Sequence, residues 1–269
     1  MASFLCFRLH GPLASWGDVA VGERRPTSPH PSRSAVLGLV AAALGVRRDD
    51  ADGWGALDAG VGFASRTDSP GQLLVDFHTA QGPSEKLLRA DEREARRRRA
   101  PWHRPSTRKA ELAFGRSELD TLLSSRQYRL DALWTVALWA RSGASTSIWS
   151  LEQMKEALRR PAFVPYLGRK SCPLDVPLEP QTVEALNPVA AMSLARFGTD
   201  ELLALLLATG RGAATVQWED AWADLSPDQT VRRRDRVLSR SRWQFTEREE
   251  HQQAWNPAPK GGNHVPEQG

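Results

Sequence analysis

The stretch at residues 31–50, PSRSAVLGLVAAALGVRRDD, constrains the fold most. Its middle is small, apolar and almost uncharged, which predicts a helix that must be buried on all sides. Ser32 or Ser34 is expected to cap this helix, and Gly45 is expected to follow its last turn. The helix start would then carry free backbone N–H groups, two hydroxyls and the guanidinium of Arg33. Together these groups favour a bound phosphate, so the first expected partner is an anionic polymer.

The order of the remaining elements predicts an α+β, ferredoxin-like domain. Apolar alternation predicts strands at residues 3–9, 61–66, 72–79 and 133–140, and an edge strand at 215–218. Further helices are predicted at 49–59, 148–160 and 201–209. This order places helices on one face of an antiparallel sheet, as in RNA-recognition domains. Residues 1–180 are assigned to this domain, 181–250 to a smaller C-terminal extension, and 251–269 to a disordered tail.

Basic charge is concentrated in two segments, although the net charge of the chain is only +4. Residues 86–116 contain 11 basic and 4 acidic side chains, and residues 232–248 contain 7 basic and 2 acidic side chains. Such segments attract polyanions, and most of the cations are arginines, which suit phosphate contacts and base stacking. Residues 81–117 combine a charged, helix-forming stretch with a proline-containing one, and we interpret them as an insertion that projects from the domain.

Several classes of protein are excluded because their motifs are missing. The sequence has no Walker loop, no GxSxG turn and no HExxH motif. The six histidines form no metal-like pair, and Cys6 and Cys172 have no metal-binding spacing. We therefore expect two reduced thiols, no metal and no cofactor. No signal peptide and no membrane-spanning run is found, so we expect no membrane and a cytoplasmic location.

One enzymatic alternative stays open. A metal-independent endoribonuclease could use His78, Tyr128, Tyr166 and Lys170 as its acid and base. A histidine such as His78 is more often a hydrogen-bonded residue at the end of a strand. Trp16 is similarly ambiguous, because a tryptophan beside a glycine can stack on a base or cover the edge of the core.

Five segments occur in the order typical of one family. They are FRLHGPLASWG (7–17), RPTSPHPSRSAVLGLVAAALGVRRDD (25–50), DFHT (76–79), RQYRLDALWTVALW (126–139) and PAFVPYLGRKSCPL (161–174). With them, the chain resembles the Cas-five family subunit of the type I-E CRISPR surveillance complex, Cascade. Residues 233–245 resemble the basic C-terminal segment of that family.

This resemblance implies a RAMP-type RNA-recognition domain in which the insertion at 81–117 is a projecting thumb. It also implies a noncatalytic subunit that binds and caps the 5′ handle of the CRISPR RNA (crRNA), since a separate subunit cuts the precursor in type I-E systems. Members of type I-C systems do cut, with a Tyr, His and Lys set. The implied partners are the crRNA, a CasC-type backbone subunit and a CasA-type large subunit, with target DNA nearby.

The residue patterns and the resemblance together predict the RNA contacts. Serine, threonine, arginine and lysine side chains are expected to hold phosphates, and Trp16 is expected to support or stack on a base. The predicted contacts are Ser15, Trp16, Arg25, Thr27, Ser32, Arg33, Ser34, Arg108, Lys109, Arg126, Arg169, Lys170 and Ser171. A third alternative is a general basic scaffold for nucleic acid without handle specificity.

Overall fold

The computed structural model of the chain describes residues 1–18, 20–115, 119–141, 148–198, 201, 214–239, 242 and 244–255. The chain forms two compact units, of which unit 1 comprises Met1–Asp18, Thr27–Leu74 and Tyr128–Gly269, and unit 2 comprises Val19–Pro26 and Val75–Gln127. The helix predicted at 201–209 lies outside the described residues apart from its first residue, and so does the predicted tail beyond residue 255.

The described elements alternate between strands and helices. The strands are β1 (Ala2–Ala14), β2 (Arg24–Arg25), β3 (Val61–Ser69), β4 (Gln72–Pro83), β5 (Leu119–Ala140), β6 (Gln181–Ala185), β7 (Ala214–Trp218), β8 (Gln229–Ser239) and β9 (Gln244–Trp255). The helices are α1 (Arg33–Leu44), α2 (Ala51–Gly60), α3 (Glu85–Arg97), α4 (Arg108–Glu111), α5 (Leu151–Arg159) and α6 (Pro188–Leu194). No helix among these described residues is long and apolar enough to cross a membrane.

Helix α1 forms as its sequence predicts. The hydroxyl of Ser32 accepts a hydrogen bond from the Ala35 N–H, and Gly45 ends the helix with φ of 79°. Most of the helix is buried, including Val36, Leu37, Leu39, Val40, Ala41 and Ala43. Both caps are therefore confirmed, whereas the predicted burial on all sides is confirmed only in part, because Ala35, Gly38 and Ala42 lie on one face and are half-buried.

One antiparallel sheet dominates unit 1. Its described strands lie in the order β6-β1-β5-β3-β7-β9-β8. Alternate side chains of β1 face opposite sides of the sheet, as the pleat requires. Leu5 and Phe7 pack into one core cluster with α1, whereas Phe4 and Cys6 pack into a second cluster with Met192 of α6. The fold is thus α+β, but the prediction of helices on one face only is wrong, because α6 covers the other face.

The C-terminal strands correct two further predictions. Strand β7 was expected at an edge, but it pairs with β3 on one side and with β9 on the other. The partner of Trp218 in β9 is His251, so residues 251–255 form the end of a strand and are not part of a disordered tail. Strands β8 and β9 are rich in charge and lack apolar alternation, so hydrophobic periodicity does not predict them.

Unit 2 contains the described part of the predicted insertion. Helix α3 confirms the expected charged helix, with Ser84 as its N-cap. Helix α4 begins after the cap residue Thr107. Parts of the ribbon formed by β4 and β5 belong to this unit, and β2 pairs in parallel with β5.

Candidate nucleic-acid interface

The side chain of Arg33 lies inside unit 1 and is only 1% exposed. Its guanidinium contacts the carboxylate of Asp58, and its Nε donates to Glu219 at 3.1 Å. Its Nη2 also donates to the carbonyl of Val61 at 2.9 Å. These partners use the donors that a phosphate would need. The predicted phosphate contact of Arg33 is therefore corrected to a structural role.

The backbone at the start of α1 is also occupied. The Arg33 N–H donates to Oδ2 of Asp235 at 2.9 Å, and Ser32 caps the Ala35 N–H. A carboxylate of the same chain thus occupies the position that the sequence predicts for a phosphate. Ser34 is half-buried, and its hydroxyl lies 3.3 Å from that of Ser32. Asp235 therefore takes the acceptor position at the Arg33 N–H, and the RNA contacts predicted for Ser32 and Ser34 gain no support.

These contacts belong to a larger arginine–carboxylate network, which comprises Arg33, Arg141 and Arg248 with Asp58, Glu219, Asp235 and Glu250. Arg248 donates to Asp235 at 2.7 Å and to Glu250 at 2.7 Å. The adjacent cations hold the pKa of Asp235 below its usual range in spite of its burial, and the carboxylates raise the pKa of Arg248. Buried charges require such pairing, so the network holds β7, β8 and β9 against α1.

The other end of α1 supports a different basic segment. The N–H groups of Ala162 and Phe163 donate to the carbonyls of Ala43 and Ala42 at 2.9 and 3.1 Å. These are carbonyls that the end of a helix leaves without intrahelical partners. Residues 163–171, called loop 163–171 below, are thereby fixed at one end by α1.

Two glycines allow loop 163–171 to lie directly against β1. The Ser15 N–H donates to the Leu167 carbonyl at 3.0 Å. A Cβ at Gly168, where φ is 84°, would lie 1.9 Å from the Ser15 carbonyl oxygen. A Cβ at Gly11 would lie 2.4 Å from the carbonyl oxygen of Pro173. Only glycine fits such close backbone contacts, so both residues fix the position of the loop.

Cationic side chains of the loop reach the surface. Lys170 and Ser171 are exposed, and Arg169 is partly exposed. The guanidinium carbon of Arg169 lies 4.8 Å from the centre of the Tyr128 ring, a cation–π contact. This contact directs the Arg169 side chain. The structure therefore brings these three predicted RNA contacts together.

Three other predicted contacts lie beside the loop but are buried. The Trp16 ring packs edge-on against Trp134 with centroids 5.0 Å apart, and the Trp16 N–H donates to the Thr27 hydroxyl at 3.0 Å. Ser15, Trp16 and Thr27 are each less than one-tenth exposed. The core interpretation of Trp16 is thus confirmed, and these three residues support the loop instead of forming its surface.

Sequence reasoning missed the apolar surface of the same loop. Phe163 is 46% exposed, Val164 is 82% exposed and Tyr166 is 40% exposed. Exposed aromatic rings next to cations are typical of single-strand binding, because bases stack on the rings while the cations contact phosphates. The signal is present in the sequence as FVPY directly before LGRKS.

The remaining predicted contacts belong to unit 2. Arg25 and Arg126 are register partners in the β2–β5 pair, so their side chains start from neighbouring positions. Arg108 and Lys109 are exposed at the start of α4, and Arg108 pairs with Glu111 at 3.0 Å. Unit 2 therefore presents two separate pairs of cations.

The residues of the alternative endoribonuclease are divided between the units. His78 belongs to unit 2, where its Nε2 contacts the carboxylate of Asp76. Tyr128, Tyr166 and Lys170 belong to unit 1, and the Tyr128 ring is covered by Arg169. Among the described residues, no group of three or more His, Cys, Asp or Glu could hold a metal ion. Both cysteines are buried and free, and burial raises the pKa of Cys6 to about 12.

Comparison with known proteins agrees with the α+β fold. The CasD subunit of the CRISPR system Cascade from Escherichia coli (strain K12) is 35% identical over 203 residues, which cover 71% of this chain and 76% of that protein. A chain of a CRISPR RNA-guided surveillance complex matches with a TM-score of 0.59 and 28% identity, covering 94% of this chain and 90% of that one.

A crystal structure of a Cas protein matches with a TM-score of 0.56 and 23% identity, covering 94% of this chain and 95% of that one, and supports the fold alone. The model of the family described as CRISPR-associated protein (Cas_Cas5) matches residues 4–250. Because this match includes both α1 and loop 163–171 and extends over most of the sequence, the chain belongs to the CRISPR-associated Cas5 family.

Proposed function

We propose that this chain is a noncatalytic, cytoplasmic subunit of a type I-E Cascade complex that binds and caps the 5′ handle of the crRNA. The observation that carries the proposal is loop 163–171, where exposed aromatic and cationic side chains share one rigidly anchored segment in a member of the Cas5 family. The similarity to the Cascade subunit CasD supports the same assignment.

The architecture supports the finer parts of this proposal. The strand order β6-β1-β5-β3, with α1 and α5 in the crossovers, matches a ferredoxin-like domain of the RAMP type. Unit 2, which includes the described part of 81–117, is the proposed thumb, and residues 181–250 are the proposed C-terminal extension. The proposed protein partners are a CasC-type backbone subunit and a CasA-type large subunit.

Single-stranded RNA offers phosphates and splayed bases, and loop 163–171 has a group for each. Lys170, Arg169 and Ser171 are suited to hold phosphate oxygens through charge-assisted and hydroxyl hydrogen bonds. The rings of Phe163 and Tyr166 are suited to stack on bases. The buried residues beside β1 keep the loop backbone in place, so little ordering is required when RNA binds.

The test is fluorescence anisotropy with labelled handle RNA and the full chain over a range of salt concentrations. Lys170→Ala should weaken binding and reduce the salt slope by about 0.7, the value for one phosphate contact on a single strand. Arg232→Ala removes an exposed cation of β8 and is the control, for which the handle slope should stay constant. An unchanged salt slope for Lys170→Ala would contradict the proposed contact between loop 163–171 and the RNA. Equal competition by a scrambled handle would indicate a general scaffold instead.

Catalysis is tested separately. Labelled repeat RNA incubated with the full chain and EDTA should stay intact on a denaturing gel. Cleavage that disappears in His78→Ala would establish the metal-independent endoribonuclease and contradict the noncatalytic assignment.

A further inference from the structure

A cavity of about 530 Å³, called the proline cavity below, lies in unit 1 between the end of α5 and the start of β6. Most of its lining residues are proline, leucine or valine, among them Leu158, Leu174, Val176 and Pro177. It shares only Pro165 with loop 163–171. Pockets of about 300–1,000 Å³ hold small ligands, so this cavity is large enough for a bulky side chain and the peptide groups beside it.

The walls of the proline cavity do not suit a nucleobase. None of the described residues that line it has an aromatic ring, so a base would find no ring on which to stack. The Gln181 amide donates to the Arg196 carbonyl at 2.7 Å and accepts from the Arg196 N–H at 3.2 Å. Oε2 of Glu179 accepts from the Gly198 N–H. Because these polar groups already have partners in the chain, the polar edge of a base would lose hydrogen bonds on entry, whereas an apolar group would not.

Two arginines add positive charge to the lining of the cavity. The Arg159 side chain is 52% exposed, its Nη2 donates to the Pro180 carbonyl at 3.5 Å, and its Nη1 lies 3.9 Å from the Glu156 carboxylate. Both distances are at the limit for such contacts. Arg196 is exposed, and Nη1 of its guanidinium donates to carbonyls at the end of α6. Each guanidinium carries five N–H donors, so both arginines can also receive a carboxylate from a bound molecule.

The cavity adjoins an edge of the sheet. Strand β6 begins at Gln181, which lines the cavity, and among the described strands it pairs with β1 alone. The outer backbone groups of an edge strand can pair with an extended segment of another chain. An apolar cavity, two cations and a strand edge thus lie side by side, and a peptide is the ligand that uses all three.

We propose that the proline cavity binds an extended peptide segment of another protein that carries a bulky apolar side chain next to an acidic one. The apolar side chain fills the cavity, and the acidic one contacts Arg159 and Arg196. Burial of the apolar group contributes most of the affinity, and the charge pairing selects acidic segments. The site goes beyond the proposed RNA binding and does not depend on it, since the phosphate and stacking groups of loop 163–171 do not line the cavity.

The test is methyl NMR of the full chain with the blocked dipeptide acetyl-Phe-Glu-amide as the probe. Saturable shifts are expected for the methyl groups of Leu158, Leu174 and Val176, which line the cavity. Acetyl-Phe-Lys-amide has the ring without the carboxylate, and acetyl-Ser-Glu-amide has the carboxylate without the ring. Each should bind with a Kd at least about fivefold higher. These three titrations use the unmodified chain, so they do not depend on the folding of a variant.

The arginines are tested by substitution. In Arg159→Gln/Arg196→Gln the Kd of acetyl-Phe-Glu-amide should rise about tenfold, because the charge-assisted hydrogen bonds are lost. The matched control is Arg160→Gln, which removes the neighbouring cation. Its side chain is 87% exposed and does not line the cavity, so the Kd should stay within about twofold.

Handle RNA is measured in parallel, and unchanged handle binding by Arg159→Gln/Arg196→Gln supports a separate peptide site. The proposal is overturned if the probe causes no saturable shift, if either of the other dipeptides binds as tightly, or if Arg160→Gln loses as much affinity as the double variant. Displacement of the probe by AMP or by handle RNA also overturns it, because the cavity would then belong to a nucleotide site. Failure of the dipeptide to bind leaves the proposed handle function standing.

Discussion

Two basic segments contact opposite ends of α1, and their environments differ. At its start, the arginine of Ser32-Arg33-Ser34 is enclosed by carboxylates and is 1% exposed. Near its end, loop 163–171 contains GRKS and keeps Lys170 and Ser171 exposed. Both segments combine serine with basic residues, and both were predicted to hold phosphate. Only the second has cations at the surface.

The difference arises from residues that are remote in sequence. Glu219 lies 186 residues and Asp235 lies 202 residues from Arg33. A local motif shows that a cation is present, but it does not show whether another segment of the same chain neutralises it. Basic residues therefore predict a nucleic-acid contact only when no internal acid reaches them.

The substitution with the largest expected effect is Arg33→Met. Removing the guanidinium leaves Asp58 and Glu219 with fewer partners in a buried network, so the free energy of unfolding should fall by about 3–5 kcal/mol. Urea unfolding measures this effect. Lys170→Met is the matched change in the other region and should alter stability by less than about 0.5 kcal/mol. A folded Arg33→Met protein of normal stability with a reduced salt slope for handle RNA would contradict the structural role.

The second test is Gly168→Ala. The new Cβ would clash with the Ser15 carbonyl at a positive φ, so the expected loss is about 2 kcal/mol or more, with weaker handle binding because loop 163–171 must move. Gly55→Ala is the control, because no heavy atom beyond the backbone of its own helix and its chain neighbours lies within 4 Å of its added Cβ, and α2 should gain up to about 1 kcal/mol. Equal unfolding midpoints for both variants would show that the close contact between β1 and the loop does not hold in solution.

A third, smaller effect is expected for Tyr166→Ala. Loss of the half-exposed ring should weaken handle binding by about 1–3 kcal/mol while the salt slope stays constant, since stacking involves no phosphate. Tyr166→Phe keeps the ring and should bind normally. Isothermal calorimetry distinguishes the two variants, and a loss with Tyr166→Phe as large as with Tyr166→Ala would assign the effect to the hydroxyl.

The smallest effect concerns pH. Burial lowers the pKa of His30, and nearby Arg233 and Arg248 lower it further, whereas Glu250 acts in the opposite direction. Between the usual value near 6.5 and the lower folded pKa, the unfolded chain binds more protons. Stability should therefore decrease as pH falls from about 7.5 to about 5.5. His30→Gln should flatten this dependence in urea titrations, and a midpoint that rises on acidification would contradict the sign.

The regular elements with local signals were predictable. Helix α1 and its caps, β1, β3 and α5 follow from apolar periodicity, capping residues and Pro161 after α5. Strands β8 and β9 were not predictable, because charged strands that form a buried network have no apolar alternation. The structural role of Arg33 was not predictable for the same reason, because two of its partners are distant in sequence. Conversely, the exposure of Phe163 depends on how the loop lies against β1, which composition does not reveal.

The network around Arg33 has a consequence for synthesis of the chain. At about 5–20 residues per second, the ribosome needs about 10–40 s to progress from Arg33 to Glu219, which is 186 residues later. During that interval Asp58 is the one carboxylate of the network that is available to the guanidinium of Arg33. A product terminated before Glu219 would have to bury this guanidinium with only part of its counter-charge, and so it should stay open to proteases. Synthesis of the C-terminal strands is thereby a condition for a closed core.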